Sequence, residues 1–459
     1  MITEKSFYQY LKCPSWIASD AKAGHLDDKL KDRLQQDGLL PHVERELLRG
    51  RTVVEIALDD PEEGFARTLE EMKKGTPTIY AGVLLHDRYV ARPDILERVE
   101  GKSKFGDYYY IACDIKRSRR LKEEYCLQGC FYADILGLVQ GTKPTQGYVM
   151  HSNGEIESYL LAEFEIKYRI TLDSIERILE GTEEPHFLTS DCKQSPWFHV
   201  CKKDALECDG ISRLNRVWRS EAKELEAAGF KTVTALAGMH RDLVASKVPG
   251  ISPDRLQFLH LQAKALVENR HIAVGHIDLP DSDIVLIVDI EGDPLRDLYY
   301  LFGVLEVRPE GTRYHSFLAK KPEEEERAWN EFIAYIRGFI GVPIYHYGWS
   351  EQEMFKVLGE RYGTEKEVLA MLEEQGVDLL VRLREAVIFP LSFYSLKDLA
   401  QYLGFRWRHD DASGLNSVLW YEEWLKDQKD EMMQDIVDYN EDDVRATLVL
   451  KEWAEKNLS

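Results

Sequence analysis

The chain has 459 residues, of which 44% are hydrophobic and 31% charged, with nine Trp, 23 Tyr and 17 Phe. That length holds two to four domains at roughly 100–200 residues each, and the composition excludes a disordered, collagen-like or low-complexity chain. The net charge of −22 argues against a simple nucleic-acid binder, because phosphate contacts need Lys and Arg. By segment the charge is about −8 over residues 1–210, about +3 over 211–280 and about −17 over 281–459, so only the middle is basic. No apolar run reaches the roughly 18–20 residues of a membrane span, and the start MITEKSFYQYLKCPSW lacks the apolar stretch of a signal peptide. A cytoplasmic protein with no membrane partner is expected. Seven cysteines do not make a disulfide framework in such a chain and direct attention to metal or cluster ligation.

In chain order, residues 1–75 read mostly as helix, with helical apolar spacing around Leu39–Leu58. Residues 78–115 switch to short strand-like runs, and 119–140 return to helix. TQGYVMHS and IESYLLAEF then read as two strands about a turn at Asn153-Gly154, followed by an irregular Cys-bearing stretch after Glu180. Helices are expected from about Gly210 to Arg270, and IVLIVDIEG opens a second meander that leads into long helices. The expected architecture is two α/β units around a helical middle.

The first chemical constellation is Asp94 in ARPDIL with Asp114 and Lys116 in YYYIACDIKRS. Strand alternation puts Asp114 and Lys116 on one side. Carboxylates and an ammonium held close suit a divalent cation, a bound water of lowered pKa and charge developing on a phosphate. Gln128 and Tyr132 follow at i, i+4 on a helix, and Arg117, Arg119, Arg120 and Lys122 form a basic cluster suited to a nucleic-acid backbone. This set resembles the PD-(D/E)xK core of RecB-family exonucleases. Asp94, Asp114 and Lys116 match its core motif, and Gln128 and Tyr132 match its Q-x-x-x-Y helix. The family's upstream His is absent from LLRGRTVVEIAL, where Val53 and Val54 stand, and Glu55 just beyond is the candidate substitute.

Cys13 lies early, in LKCPSW, and Cys192, Cys201 and Cys208 lie late, in DCKQSPWFHVCKKDALEC. RecB-like nucleases often pin the N-terminal segment to the domain end through an iron–sulfur cluster with one early and three late cysteines. The resemblance therefore implies a [4Fe–4S] cluster here, with zinc or free thiols as the alternatives. Ser195 occupies a position where the pattern has Cys, so Cys208 or Ser195 would supply the fourth ligand. Cys113, Cys126 and Cys130 read as ordinary buried cysteines.

Residues 210–270 resemble helix-hairpin-helix units, with Gly250 in VPGIS as the clearest turn for backbone N–H contacts to phosphate; a plain helical linker is the other reading.

The second constellation begins with Asp289 and Glu291 at the end of the apolar run IVLIVDIEG. Two like charges on one side of a buried strand repel, and a divalent ion removes that cost. In DIVDYNEDDVRATLVL, Tyr439 and Asp443 are i, i+4 on one helix face, and PIYHYGWSEQEMFKVL places Glu351 at a helix start. Carboxylates drawn from three elements suit a two-metal phosphoryl-transfer centre, with the Tyr orienting water. The set resembles the DEDDy class of 3′–5′ exonucleases on a ribonuclease H-like fold, with Glu351 standing where that class has Asp.

The whole order resembles RecB-like nucleases that carry a C-terminal ribonuclease H-like domain. It implies an α/β chain with three parts. Residues 1–209 would form a restriction-endonuclease-like PD-(D/E)xK domain, 210–275 a helical hairpin-like linker, and 276–459 a ribonuclease H-like DEDDy domain. The implied activity is phosphodiester hydrolysis with Mg²⁺ or Mn²⁺, two ions in the C-terminal site and one or two in the N-terminal site. The implied substrate is single-stranded DNA or duplex ends, or RNA. A nucleic-acid-binding scaffold with degenerate sites is the alternative from another class.

Overall fold

The computed structural model describes residues 1–24, 48–116, 118, 120–151, 154–182, 186–240, 248, 250–293, 296–348, 350–409 and 414–458. They form two compact units, Met1–Lys202 and a second made of Lys203–Asp293 with Leu298–Ser459. Among the described residues, no helix is long and apolar enough to cross a membrane.

In the first unit the helices α1 (Glu4–Lys12) and α2 (Pro14–Ala23) precede β1 (Val53–Glu55). The Leu39–Leu58 helix expected from spacing falls partly outside the described residues, and its end is strand, as the β-branched Val53 and Val54 favour. Next comes α3 (Pro61–Lys74), whose ends follow its sequence. The Asp60 side chain accepts from the Glu63 N–H, Pro61 opens the first turn and Gly75 closes the helix in the left-handed region at φ 73°.

The strands β2 (Thr78–Tyr80), β3 (Leu84–His86), β4 (Tyr89–Ala91), β5 (Ile95–Ser103) and β6 (Gly106–Lys116) lead to α4 (Glu123–Gln140). The unit closes with β7 (Gln146–His151), β8 (Ile156–Leu160) and α5 (Leu161–Leu179). The main sheet has the order β1-β2-β5-β6-β7-β8. Its hairpin turn carries Gly154 at φ 83°. The run read as one strand, IESYLLAEF, breaks at Leu160, because apolar residues recur at 161, 164, 168, 172, 175 and 178, a helical period. Helix α4 is buried along most of its length, and Gln140 closes the main-chain N–H and C=O of Tyr110 with bonds of 2.8 and 2.9 Å. Phe7, Phe131 and Tyr168 join α1, α4 and α5 in one core over the sheet.

The helix α6 (Phe198–Glu207) spans the boundary between the units. The second unit continues with α7 (Arg219–Ala227), α8 (Val233–Ala237) and α9 (Pro253–Glu268). Here α8 and α9 pack together, with His260 Nδ1 2.8 Å from Leu236 O. A short strand β9 (Ile272–Ala273) precedes β10 (Val285–Asp293), β11 (Leu298–Arg308) and β12 (Gly311–Leu318), then α10 (Glu325–Ile336). After β13 (Ile344–His346) come α11 (Ser350–Arg361), α12 (Lys366–Gln375), β14 (Gly376–Asp378), α13 (Leu379–Ala386), β15 (Val387–Ile388) and α14 (Leu396–Tyr402). The chain ends with α15 (Gly414–Asp427) and α16 (Asp430–Leu458).

The five-stranded sheet runs β12-β11-β10-β13-β14, with an antiparallel meander β10–β12 and with β13 and β14 parallel to β10. One face packs Leu286, Val288 and Phe302 on Trp329 and Phe332 of α10. The other packs Val285, Ile287, Leu305 and Tyr345 on Val444 of α16. The central strand β10 therefore delivers its last alternating positions, Asp289 and Glu291, toward α16.

Candidate active site

Asp289, Glu291 and Asp443 each offer a carboxylate oxygen within 4.8 Å of the others; among the described residues no other three or more His, Cys, Asp or Glu side chains meet so closely. Two come from β10 and one from α16, the helix laid across β10 and β11. Each is held by neutral donors. Asn440 Nδ2 lies 2.7 Å from Asp289 Oδ2 and 3.2 Å from Asp289 O. Ser417 bonds Glu291, and Trp407 Nε1 donates to Asp443 Oδ1 at 2.6 Å. Tyr439 also bonds Asp443, as expected for i, i+4 on one face.

Burial pushes the proton affinity of all three carboxyls up. Glu291 and Glu351 add to this at Asp289, Asp443 adds at Glu291, and Asp289 adds at Asp443. Glu291 is pushed up to about 8. Burial, then Asp443, keeps the Tyr439 phenol protonated. Among the described residues none of the three carboxylates has a Lys, Arg or His ion pair. Three closely set carboxylates, two buried and one half-buried, with no paired counter-charge among the described residues, fit a divalent cation.

Glu351 stands at the start of α11, buried, where its charge acts on Asp289; it lies outside the tight group. Its Oε2 is 3.7 Å from Nδ1 of the buried His346.

Asn440 was not anticipated, and its place depends on Gly303. Gly303 pairs directly with Asp289, and a Cβ there would stand 1.6 Å from Asn440 Oδ1. Tyr314 OH donates to that same oxygen at 2.8 Å, which fixes which end of the amide meets Asp289. A glycine inside the apolar run LYYLFGVLEV signals this kind of close approach. Trp407, far from Asp443 in sequence, left no comparable trace.

In the first unit Asp94, Asp114, Lys116 and Tyr132 come together. Lys116 Nζ lies 2.9 Å and Tyr132 OH 3.0 Å from Asp114 Oδ2, and Ile115 N–H donates to Asp94 Oδ2 at 2.6 Å. Gln128 is buried one turn before Tyr132. Glu55 is exposed on β1, in the row of the sheet that Tyr80 and Ile95 share, and does not join Asp94 and Asp114. Arg117 and Arg119 lie outside the described residues. Arg120 is exposed, and Lys122 precedes α4 with its ammonium over the Tyr125 ring.

Cys13, Cys192 and Cys201 are buried free thiols; the Cys13 and Cys192 sulfurs are 3.5 Å apart, and Cys13 also shares a hydrogen bond with Cys201. Ser195 is buried between Cys192 and Cys201 in sequence. Cys208 belongs to the second unit and is exposed. Cys13, Cys192 and Cys201 thus supply three thiols in the first unit where the resemblance implies four ligands. Gly250 sits at φ 89° before a helix capped by Ser252, with the Glu224 carboxyl over it. An acidic neighbour there disfavours a phosphate.

Residues 286–455 match the family model RNase_H_2, of the RNase_H superfamily. None of the curated proteins matches the chain. The second unit thus carries a ribonuclease H-like domain with a buried acidic cluster, which supports a metal-dependent nuclease.

The shifted carboxyls set a pH dependence. Glu291 titrates at 4.5 when unperturbed and at about 8 in the fold, so folding takes up a proton between those values. The metal-free protein therefore loses stability as pH rises from about 4.5 through about 8, and Asp289 and Asp443 act in the same direction. A divalent cation displaces these protons, so its stabilisation grows over the same interval. Thermal melts with and without Mn²⁺ should show a larger shift at about pH 8 than at about pH 5.5. Equal shifts at both would contradict a cation held by these carboxylates.

Proposed function

We propose that the second unit is a divalent-metal-dependent 3′–5′ exonuclease acting on DNA. The observation that carries the reading is the meeting of the half-buried Asp289 with the buried Glu291 and Asp443 within 4.8 Å, with no cationic side chain paired to them among the described residues. Divalent ions bound there would lower the pKa of a water and neutralise charge on the phosphate. The chain's own part is positional. Asn440 and Ser417 fix the strand carboxylates, Trp407 fixes Asp443, and the neutral Tyr439 phenol beside Asp443 is placed to orient the attacking water. Water would add to the phosphorus of the last linkage, the P–O3′ bond to the penultimate nucleoside would break with a proton passing to that 3′ oxygen, and the terminal unit would leave as a nucleoside 5′-monophosphate. Polarity and the DNA preference rest on the likeness of D-x-E and Y-x-x-x-D to the DEDDy class. Asp94, Asp114 and Lys116 of the first unit are read as a second metal-dependent site.

The test uses single-stranded DNA and RNA labelled at either end, with and without Mn²⁺. DNA losing its 3′ label first, as mononucleotide and only with Mn²⁺, is the expected result. Cleavage of RNA alone would replace the substrate, and no Mn²⁺-dependent cleavage of either would overturn the proposal in favour of a binding scaffold.

A further inference from the structure

The register of the first sheet decides which carboxylate joins Asp94 and Asp114. Val54, Ile79, Leu96 and Ala112 form one row across β1, β2, β5 and β6, and Glu55, Tyr80, Ile95 and Cys113 form the next. Successive rows project from opposite faces. Ile79, Leu96 and Ala112 pack in the core with α1, α4 and α5, whereas Tyr80, Ile95, Cys113 and Val53 pack on the other face. Asp94 and Asp114 are each one residue from that second row, so they leave from the helix-covered face. Glu55 leaves from the opposite one.

A different carboxylate reaches the helix-covered face. Glu4 opens α1, whose Phe7 packs on Phe131 of α4 with ring centres 5.3 Å apart. Glu4 Oε2 accepts from the Arg92 N–H at 3.2 Å, two residues from Asp94. Its main-chain oxygen accepts from Gln128 Nε2 at 3.3 Å. The Glu4 and Asp114 charges repel, and the Tyr132 phenol lies in the combined field of Asp114, Glu4 and Asp94. The oxygens of Glu4, Asp94 and Asp114 do not all meet within 4.8 Å as those of the second unit do, so a cation would draw them together.

Gln128 is the independent sign of a ligand. Its side chain is 4% exposed, its nitrogen is held by Glu4, and its Oε1 has no hydrogen-bond partner. A buried amide oxygen without a donor has given up its hydrogen bond to water and gained none in return. The hydration water of a cation beside Glu4 and Asp114 would supply that donor.

We propose that Glu4, in place of Glu55, is the third carboxylate of a divalent-cation site formed with Asp94 and Asp114. This rests on the reading of Asp94, Asp114 and Lys116 as a metal site. The test measures Mn²⁺ affinity of the full chain by calorimetry and electron paramagnetic resonance in an Asp289→Asn/Asp443→Asn background, which silences the second unit. Glu4→Gln should weaken the remaining Mn²⁺ binding about tenfold or more, Glu4→Asp should restore part of it, and Glu55→Gln should leave it unchanged. The Gln side chain keeps an acceptor for Arg92, so the melting temperature without metal should not fall. Affinity unchanged by Glu4→Gln but lost in Asp114→Asn would overturn the role of Glu4 and leave the site standing. Affinity unchanged in both, or no Mn²⁺ binding in the background itself, would overturn the site and with it the role of Glu4.

Discussion

Asp289→Asn or Asp443→Asn should each lower Mn²⁺-dependent degradation by about 10³-fold, equivalent to about 4 kcal/mol of lost transition-state stabilisation. Both residues belong to the tight acidic group, and each Asn keeps the shape of the side chain while removing its charge. The stability effect should run the other way. In the metal-free protein the three carboxyls repel one another and are poorly hydrated, so removing one charge relieves a cost. The variants should therefore melt no lower than the parent without metal and gain less from Mn²⁺. Loss of activity with a lowered metal-free melting temperature would point to damaged packing instead. Undiminished degradation by both variants would place the chemistry elsewhere.

Gly303→Ala should destabilise the protein by about 3 kcal/mol and depress activity together. The new methyl group would stand 1.6 Å from Asn440 Oδ1 and 2.7 Å from its Cγ. Asn440 cannot yield cheaply, because it is 0% exposed and tied to Asp289 on one side and Tyr314 on the other. Any shift that admits the methyl moves the donor that orients Asp289. Combining Gly303→Ala with Asn440→Ala removes the clashing amide, so the pair should be less destabilised than the sum of the two single changes. Denaturant melts of the four proteins check this. A Gly303→Ala protein as stable as the parent would show that Asn440 is not packed against the strand.

The residues that announced themselves did so through short-range pattern. Asp289 and Glu291 interrupt an apolar strand where charge has no structural excuse, and Tyr439 and Asp443 share a helix face by spacing alone. Asp94, Asp114, Lys116 and Tyr132 were legible for the same reasons. The supporting groups were not, because strands and helices distant in the chain bring them in. Asn440 faces Asp289 only because Gly303 has no side chain, and Trp407 reaches Asp443 from a loop after α14. The face from which Glu55 leaves was not legible, because a single residue of register decides the face of a strand, and that register is fixed by pairing with β2, which spacing does not reveal. The apolar run after Ile156 misled because a few consecutive apolar residues fit strand and helix alike until the helical period of α5 becomes apparent.

The carboxylates of the second unit are proposed to hold divalent cations. Counting Mn²⁺ bound to the parent and to Asp289→Asn/Asp443→Asn by electron paramagnetic resonance tests this most directly. The double variant should bind fewer ions than the parent while keeping the parent's circular dichroism. Equal numbers bound with equal affinity would contradict the claim.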